Sequence, residues 1–469
     1  MRIDRNLVRV PVIAMLFALS ACTVGPQYAR PDMALPDRFD QAAHTNAAAP
    51  SSLWASFGSA ELDKLLARAI AANTTIEQAA ARLAETRALA GLTVFSLFPT
   101  VTAAADAERN QSSAGDPFAP PEAGRSDSYR AGFDARWEID LFGSLRNQKR
   151  MIQRRVEADD AALADARLSI LAETAQAWFA LRGAQLNLTL LDQQIATLEH
   201  NLELVQAMFD AGRANGLDLA RAQTQLRTRA AQRPQAEADV VRHEQRLAVL
   251  TAWPLTTLRA ELGDTATLPA LPALHTLGSP RDWLLRRPDI RAAERRLAAA
   301  HAEIGYETAQ YFPILTLLGD FGWTATSLGG LGESANERWR FGPSLSWRFL
   351  DFGRVRQNVR AAEARADGAA AAYRETVLRA LEETENALAA LRAANQTAAE
   401  LQAALASADE ALHLAKLRFE AGASAYLDVL DAQRSQLELQ SQALDAQVRQ
   451  ATALAAVYKA TAGDFAAAP

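Results

Sequence analysis

Two stretches of this chain repeat one another at an offset of 210 residues, each across a change from strand-like to helix-like periodicity. They read Trp137-Glu-Ile-Asp-Leu-Phe142-Gly143-Ser-Leu-Arg146 and Trp347-Arg-Phe-Leu-Asp-Phe352-Gly353-Arg-Val-Arg356. The offset recurs downstream, where Phe209-Asp-Ala-Gly212, Leu217-Asp218 and Ala222-Gln223 match Phe419-Glu-Ala-Gly422, Leu427-Asp428 and Ala432-Gln433. Upstream, Leu97-Phe98-Pro99 matches Tyr311-Phe312-Pro313 at an offset of 214, so four residues change in the intervening hairpin. A period this long exceeds any solenoid unit, which means that one domain-sized unit was duplicated in tandem.

The segment ahead of the first unit reads as an export signal. Arg2, Arg5 and Arg9 form a positive region, Val10 to Leu19 a short apolar run, and Leu19-Ser20-Ala21-Cys22 ends it at the only cysteine. A run of ten or so apolar residues is too short to span a bilayer, which needs about 20. A signal peptide is expected over 1–21, and an ordinary one with an incidental cysteine is the plainer alternative. The small residues before Cys22 resemble a bacterial lipobox, which implies cleavage there and acylation of Cys22, followed by a lipidated arm over 22–58. Several acyl chains on one residue hold firmly, at about 0.8 kcal/mol per buried CH₂. Among lipoproteins an Asp after the cysteine is the usual inner-membrane retention signal; Thr23 stands here and favours the outer membrane. A lone cysteine also excludes an internal disulfide.

Long helical patterns dominate the rest. Neither 143–209 nor 353–421 contains a proline, and at 1.5 Å per residue each reaches roughly 100 Å. Helices of that length belong to coiled-coil-like assemblies. Shorter helical patterns flank them, giving repeat 1 over 59–253 with a return helix at 214–252. Repeat 2 covers 282–462, with a return helix at 424–461. A linker, 254–281, joins the repeats and a tail, 463–469, follows them. The strands are the second strong signal. Ala131, Phe133, Ala135, Trp137, Ile139 and Leu141 alternate with Gly132, Asp134, Arg136, Glu138 and Asp140. Strands are therefore expected at 99–111, 128–142, 313–326 and 338–352.

Clean alternation fits a soluble sandwich, but strands of this length, with aromatics at both ends of the apolar face, fit a transmembrane barrel. Four strands cannot close a barrel alone, because edges open to lipid leave N–H and C=O groups unpaired. Two, three or four copies would give eight, twelve or sixteen strands, and the sequence does not choose.

The repeat layout, paired hairpins and long helices resemble the TolC-type outer membrane factors. The lipobox, the arm Thr23-Val-Gly-Pro-Gln-Tyr-Ala-Arg-Pro31 and Arg286-Arg-Pro-Asp-Ile-Arg-Ala-Ala-Glu-Arg295 resemble their NodT branch, the lipoproteins of resistance-nodulation-division efflux systems. The resemblance implies an α+β membrane protein: a homotrimer with a twelve-stranded β-barrel and a long antiparallel α-helical coiled-coil tunnel. It implies a passive duct for drugs or metal ions, working with an inner-membrane pump and a periplasmic adaptor. A duct for type I protein secretion, or a non-pore coiled-coil lipoprotein, are the alternatives.

No enzyme chemistry is legible. The six histidines are scattered, and Gly329-Gly330-Leu331-Gly332 lies between two strands and opens no helix, so it is read as a hairpin tip. No cofactor or metal site is expected, and a net charge of −6 without a basic cluster argues against nucleic acid. By the family resemblance, Leu427 and Asp431 match positions that form apolar and acidic rings at the periplasmic tip, and Arg434 a nearby pairing residue. Arg221 stands where repeat 2 has Asp431. The plain alternative is a helix start in which Asp428 and Asp431 face the positive end of the dipole.

Overall fold

The computed structural model describes residues 23–40, 53–111, 113, 124–263, 266–272, 280–281 and 286–461. The signal segment and Cys22 lie outside them. The described chain divides into two compact units. One holds the residues up to Asp32, Arg82–Asp160 and Ala292–Tyr373, and the other Met33–Ala81, Ala161–Arg291 and Arg374 onward.

The helices are α1 (Ala60–Ala72), α2 (Thr74–Phe95), α3 (Ser144–Asp210), α4 (Gly216–Ala230), α5 (Arg233–Thr251), α6 (Leu255–Leu262), α7 (Pro288–Ala309), α8 (Arg354–Glu420) and α9 (Tyr426–Ala460). α3 and α8 are 67 residues each, about 100 Å of helix. No helix among the described residues is long and apolar enough to cross a membrane.

Four strands, β1 (Thr100–Gln111), β2 (Arg125–Ile139), β3 (Ile314–Ala325) and β4 (Glu337–Ser346), form one antiparallel sheet in the order β1-β2-β3-β4. Its register lines up Thr102, Asp134, Asp320 and Arg340 across all four strands on one face. Asp320 is the buried centre of that row and takes Arg338 at 2.7 Å and Arg340 at 2.9 Å. The opposite face carries Phe133, Phe321, Trp339 and Phe341, all exposed. Gly132 faces Gly322, and a side chain on either would overlap the backbone of the other strand. The outer strands are left bare: every residue of β1 is exposed, and every residue of β4 except Gly342.

Several boundaries differ from expectation. The helical pattern expected over 59–97 is two helices, α1 and α2, because Asn73 leaves helical geometry to donate to the Leu250 carbonyl (2.9 Å) while its side-chain oxygen caps Thr75 N–H. The return helix at 214–252 is also two, α4 and α5, because Pro234 has no N–H to continue the ladder. The linker contains α6, whose Leu258 and Leu262 are buried. β2 begins three residues early and ends at Ile139. β4 stops at Ser346 rather than 352, where its partner β3 begins at Ile314 after Pro313, which cannot donate to a ladder.

Each unit is held by its own polar ties. In the first, the arm lies along the helices: Val24 N–H donates to the Phe142 carbonyl, Asn147 donates to the Val24 carbonyl, and Tyr28 to Glu294 at 2.6 Å. Burial, then that bond to Glu294, pushes the Tyr28 hydroxyl above its ordinary range. In the second, the buried Arg287 donates to Glu383, to Asp289 and to the Ala460 carbonyl at the end of α9. Burial alone would raise the Glu383 carboxyl, but hydrogen bonds from Lys459 and Arg287 hold it below the usual carboxylate range.

Candidate functional site

The two long helices end in the same turn. At the end of α3, Gly212 at φ +70° donates to the Phe209 carbonyl and Arg213 donates back to Met208; at the end of α8, Gly422 at φ +70° donates to Phe419 and Ala423 to Arg418. A left-handed residue of this kind stops a helix while giving its last carbonyls partners, and glycine takes it without steric cost. The two return helices start differently. α4 opens with a complete capping box, Asn215 accepting from Asp218 N–H and Asp218 accepting in return. α9 opens from Ala425 without a side-chain cap, and the buried Ser424 hydroxyl has no partner. Beneath both turns Val205, Leu412, Tyr426, Val429 and Leu430 form a buried cluster that fixes how the chain turns back.

One turn further, α4 and α9 flank a cleft of about 520 Å³. Leu427, Asp431, Arg434 and Arg221, all singled out from the sequence, line it together. Leu198, Leu430 and Leu437 supply apolar lining. Asp431 and Arg434 form a loose, exposed ion pair at 3.7 Å, the kind that contributes about 0–1 kcal/mol. Arg229 stands 3.9 Å from Glu438. The cleft thus holds three arginines against two carboxylates over leucines, with charges held by weak pairs that separate at small cost.

Arg229, Glu438 and Gln225 were not anticipated, although their spacing was readable. Arg221, Gln225 and Arg229 recur every four residues on α4, as Asp431, Arg434 and Glu438 recur at three and four on α9, so each set shares one helix face. Catalytic machinery is a different matter. Among the described residues no group of three or more His, Cys, Asp or Glu side chains is placed to hold a metal.

The model of the family described as outer membrane efflux protein matches residues 65–252 and 280–463, one match for each repeat. The chain belongs to the outer membrane efflux protein family. It is 32% identical to Outer membrane protein OprJ of Pseudomonas aeruginosa, over 97% of this chain and 96% of that one. Nodulation protein T of Rhizobium leguminosarum bv. viciae is 28% identical over 91% of this chain and 87% of its own. The solved outer-membrane channel OprN superposes with a TM-score of 0.88 at 35% identity, covering 94% of this chain and 99% of that one. The protein is therefore an outer membrane efflux channel and not an enzyme, with the TolC-like combination of transmembrane strands and long periplasmic helices.

Proposed function

We propose that three copies assemble into one passive duct, a twelve-stranded barrel continued by a tunnel of α3, α4, α8 and α9. A periplasmic adaptor and an inner-membrane pump would complete the tripartite system, and small molecules would be the cargo. The sheet carries this reading: it is apolar and exposed on one face, charged on the other, and unpaired along both edges. Open edges do not persist in lipid. The chain offers no nucleotide motif, so the energy for transport comes from the pump.

In this reading the cleft at the start of α9 is the periplasmic gate. Around a threefold axis, three copies of Leu427 narrow the passage and three of Asp431 ring it. Arg434 and Arg221 temper the repulsion among those carboxylates. The start of α9 forgoes the roughly 1 kcal/mol that the capping box gives α4, and is held instead by Tyr426, Val429 and Leu430 in the cluster beneath the turn. Leu427→Ala with Asp431→Ala is expected to raise the single-channel conductance of the isolated trimer in planar bilayers and to sensitise cells to large antibiotics. Conductance unchanged from the parent would place the constriction elsewhere and return both residues to an ordinary helix start.

Cys22 would be acylated and would tie the arm to the outer membrane. Cys22→Ser is expected to abolish metabolic labelling with palmitate; label that persists in the variant rules the assignment out. The barrel anchors the protein independently, so the trimer is expected to survive this change.

A further inference from the structure

The ends of α3 and α8 that follow the sheet carry the wrong charge for their position. From its start, α3 holds Arg146, Lys149, Arg150, Arg154 and Arg155, with no acid before Glu157. α8 opens with Arg354, Arg356 and Arg360, with no acid before Glu363. A helix start is the positive end of the dipole, where cations are disfavoured. Yet the 210-residue offset pairs Arg146 with Arg356, Arg150 with Arg360 and Arg155 with Arg365. Some of these cations have local partners: Arg146 has Asp140, Arg154 has Glu157 and Arg365 has Glu303. Arg150 and Arg360 are both exposed, and neither has a carboxylate partner among the described residues. Arg150 donates to the neutral Asn147 amide oxygen at 2.8 Å.

The arm encloses a cavity beside these cations, within the same compact unit. Thr23 packs so closely on Gly143 that a Cβ there would lie 2.7 Å from its Cγ2, and Gly25 packs in the same way on Gly305. The cavity, about 320 Å³, is walled by Gln27 and Tyr28, by Arg150 and Arg154 of α3, and by His301 of α7. The Tyr28 and His301 rings lie tilted against each other, 5.4 Å apart. The His301 Nδ1 is buried and has no hydrogen-bond partner, which is costly unless a ligand supplies one. Two guanidinium groups and an unmet imidazole nitrogen facing one cavity are the chemistry of a phosphate site. Glu157 and Glu294, which touch its wall through Arg154 and Tyr28, both pair with Arg295 as well. Arg150 therefore stays uncompensated.

Resting on the acylation of Cys22 proposed above, we infer that this cavity and the cations around it bind an anionic phospholipid headgroup, in the leaflet that takes the acyl chains. Thr23 is fixed at the start of α3, and one residue spans at most about 3.6 Å, so acylated Cys22 sets the headgroups at the level of Gly143. Trp137 and Trp347 mark the same level. Their indoles donate to the Leu97 and Tyr311 carbonyls, at 2.9 and 3.0 Å, at the base of the sheet, and such rings are enriched at the membrane–water interface. Arg150 offers the phosphate a planar fork and His301 a further donor. Arg360 and its neighbours on α8 repeat the charge, and basic clusters beside a membrane attract anionic headgroups.

Native mass spectrometry of the full-length protein in detergent, mixed with phosphatidylglycerol or with phosphatidylcholine, tests this. The parent is expected to retain phosphatidylglycerol in preference. Arg150→Gln with Arg360→Gln should cut that preference by about five-fold for each cation removed. His301→Leu should lower it as well, whereas Arg418→Gln, at the far end of α8, should leave it unchanged. Equal retention of the two lipids by the parent, or a preference intact in the double variant, overturns the site. Retention unchanged in His301→Leu overturns the cavity as its centre. Inorganic phosphate that binds the lipid-free parent, and is lost in the double variant, would make this a site for free phosphate and overturn the lipid assignment. The intact mass of the same samples reads the acyl chains on Cys22. An acylated parent without the preference removes the site and leaves the anchor; a parent without acyl chains that keeps the preference removes the anchor and leaves the site.

Discussion

Phe133→Arg should remove the protein from the outer membrane, while Asp134→Arg, one residue further along the same strand, should leave it there. Phe133 sits near the middle of β2, half exposed, paired with Ala103 on one side and Phe321 on the other. That is the lipid-facing surface, and an arginine near the bilayer midplane costs about 2–4 kcal/mol in a membrane barrel. A closed trimer carries the change three times in one barrel, which brings the total to the scale of a whole domain's stability. Asp134 lies on the other face, in the row of Thr102, Asp320 and Arg340, where water fills the lumen. An added arginine there stays solvated, and Asp320 keeps its bonds to Arg338 and Arg340. Ile139→Arg should do less harm than Phe133→Arg because it lies at the strand end, and Glu138→Arg should resemble Asp134→Arg. The amount of heat-resistant oligomer in isolated outer membranes measures the difference. Equal loss from both faces would mean that both are enclosed by protein, as in a sandwich.

The duplication made most of the fold legible. A clean period of two in β2 and unbroken proline-free helical runs in α3 and α8 are strong signals, because a slip by one residue would turn the wrong face outward. The features that escaped were local and tertiary. Asn73 reads as a tolerable helix residue until Leu250 offers it a carbonyl from α5. Pro234 stood at the middle of the expected return helix 214–252, where a proline breaks the ladder, so the meeting of two helices there was legible and was read through. The ends of β2 and β4 depended on where the neighbouring strands begin and stop, which alternation along one strand does not state. At the cleft, Leu427, Asp431 and Arg434 came from family resemblance, and Arg221 from the internal repeat as the counterpart of Asp431. The remaining lining residues needed the two faces of α4 and α9 to be set against each other.

A second buried arginine in the second unit, Arg182, carries the other large effect. Arg182 in α3 is 1% exposed, and its guanidinium donates to the Glu61 carboxylate, to the Leu262 carbonyl and to Gln185 at 2.8 Å. Glu61 lies in the first turn of α1 and Leu262 is the last residue of α6, so one cation serves a carboxylate at one helix start and an orphan carbonyl at another helix end. Glu61 also accepts from Trp178 at 2.7 Å, which fixes the indole between α1 and α3. Arg182→Ala leaves a part-buried carboxylate and a buried carbonyl without their main donor, and breaking such a pair costs about 3–5 kcal/mol. Arg182→Lys should fall between, since an ammonium reaches one acceptor well but cannot reproduce the planar fork that serves several. Glu61→Gln should cost less than Arg182→Ala, because the amide oxygen still accepts from Trp178. Introduced together, Glu61→Gln and Arg182→Met should lose less than the sum of the two singles, since neither leaves a charge unmatched. Urea unfolding followed by helix circular dichroism gives the comparison. A loss below about 1 kcal/mol for Arg182→Ala would mean that water replaces the guanidinium, and that α1 and α6 are held to α3 by apolar packing around Trp178, Phe57 and Leu258 instead.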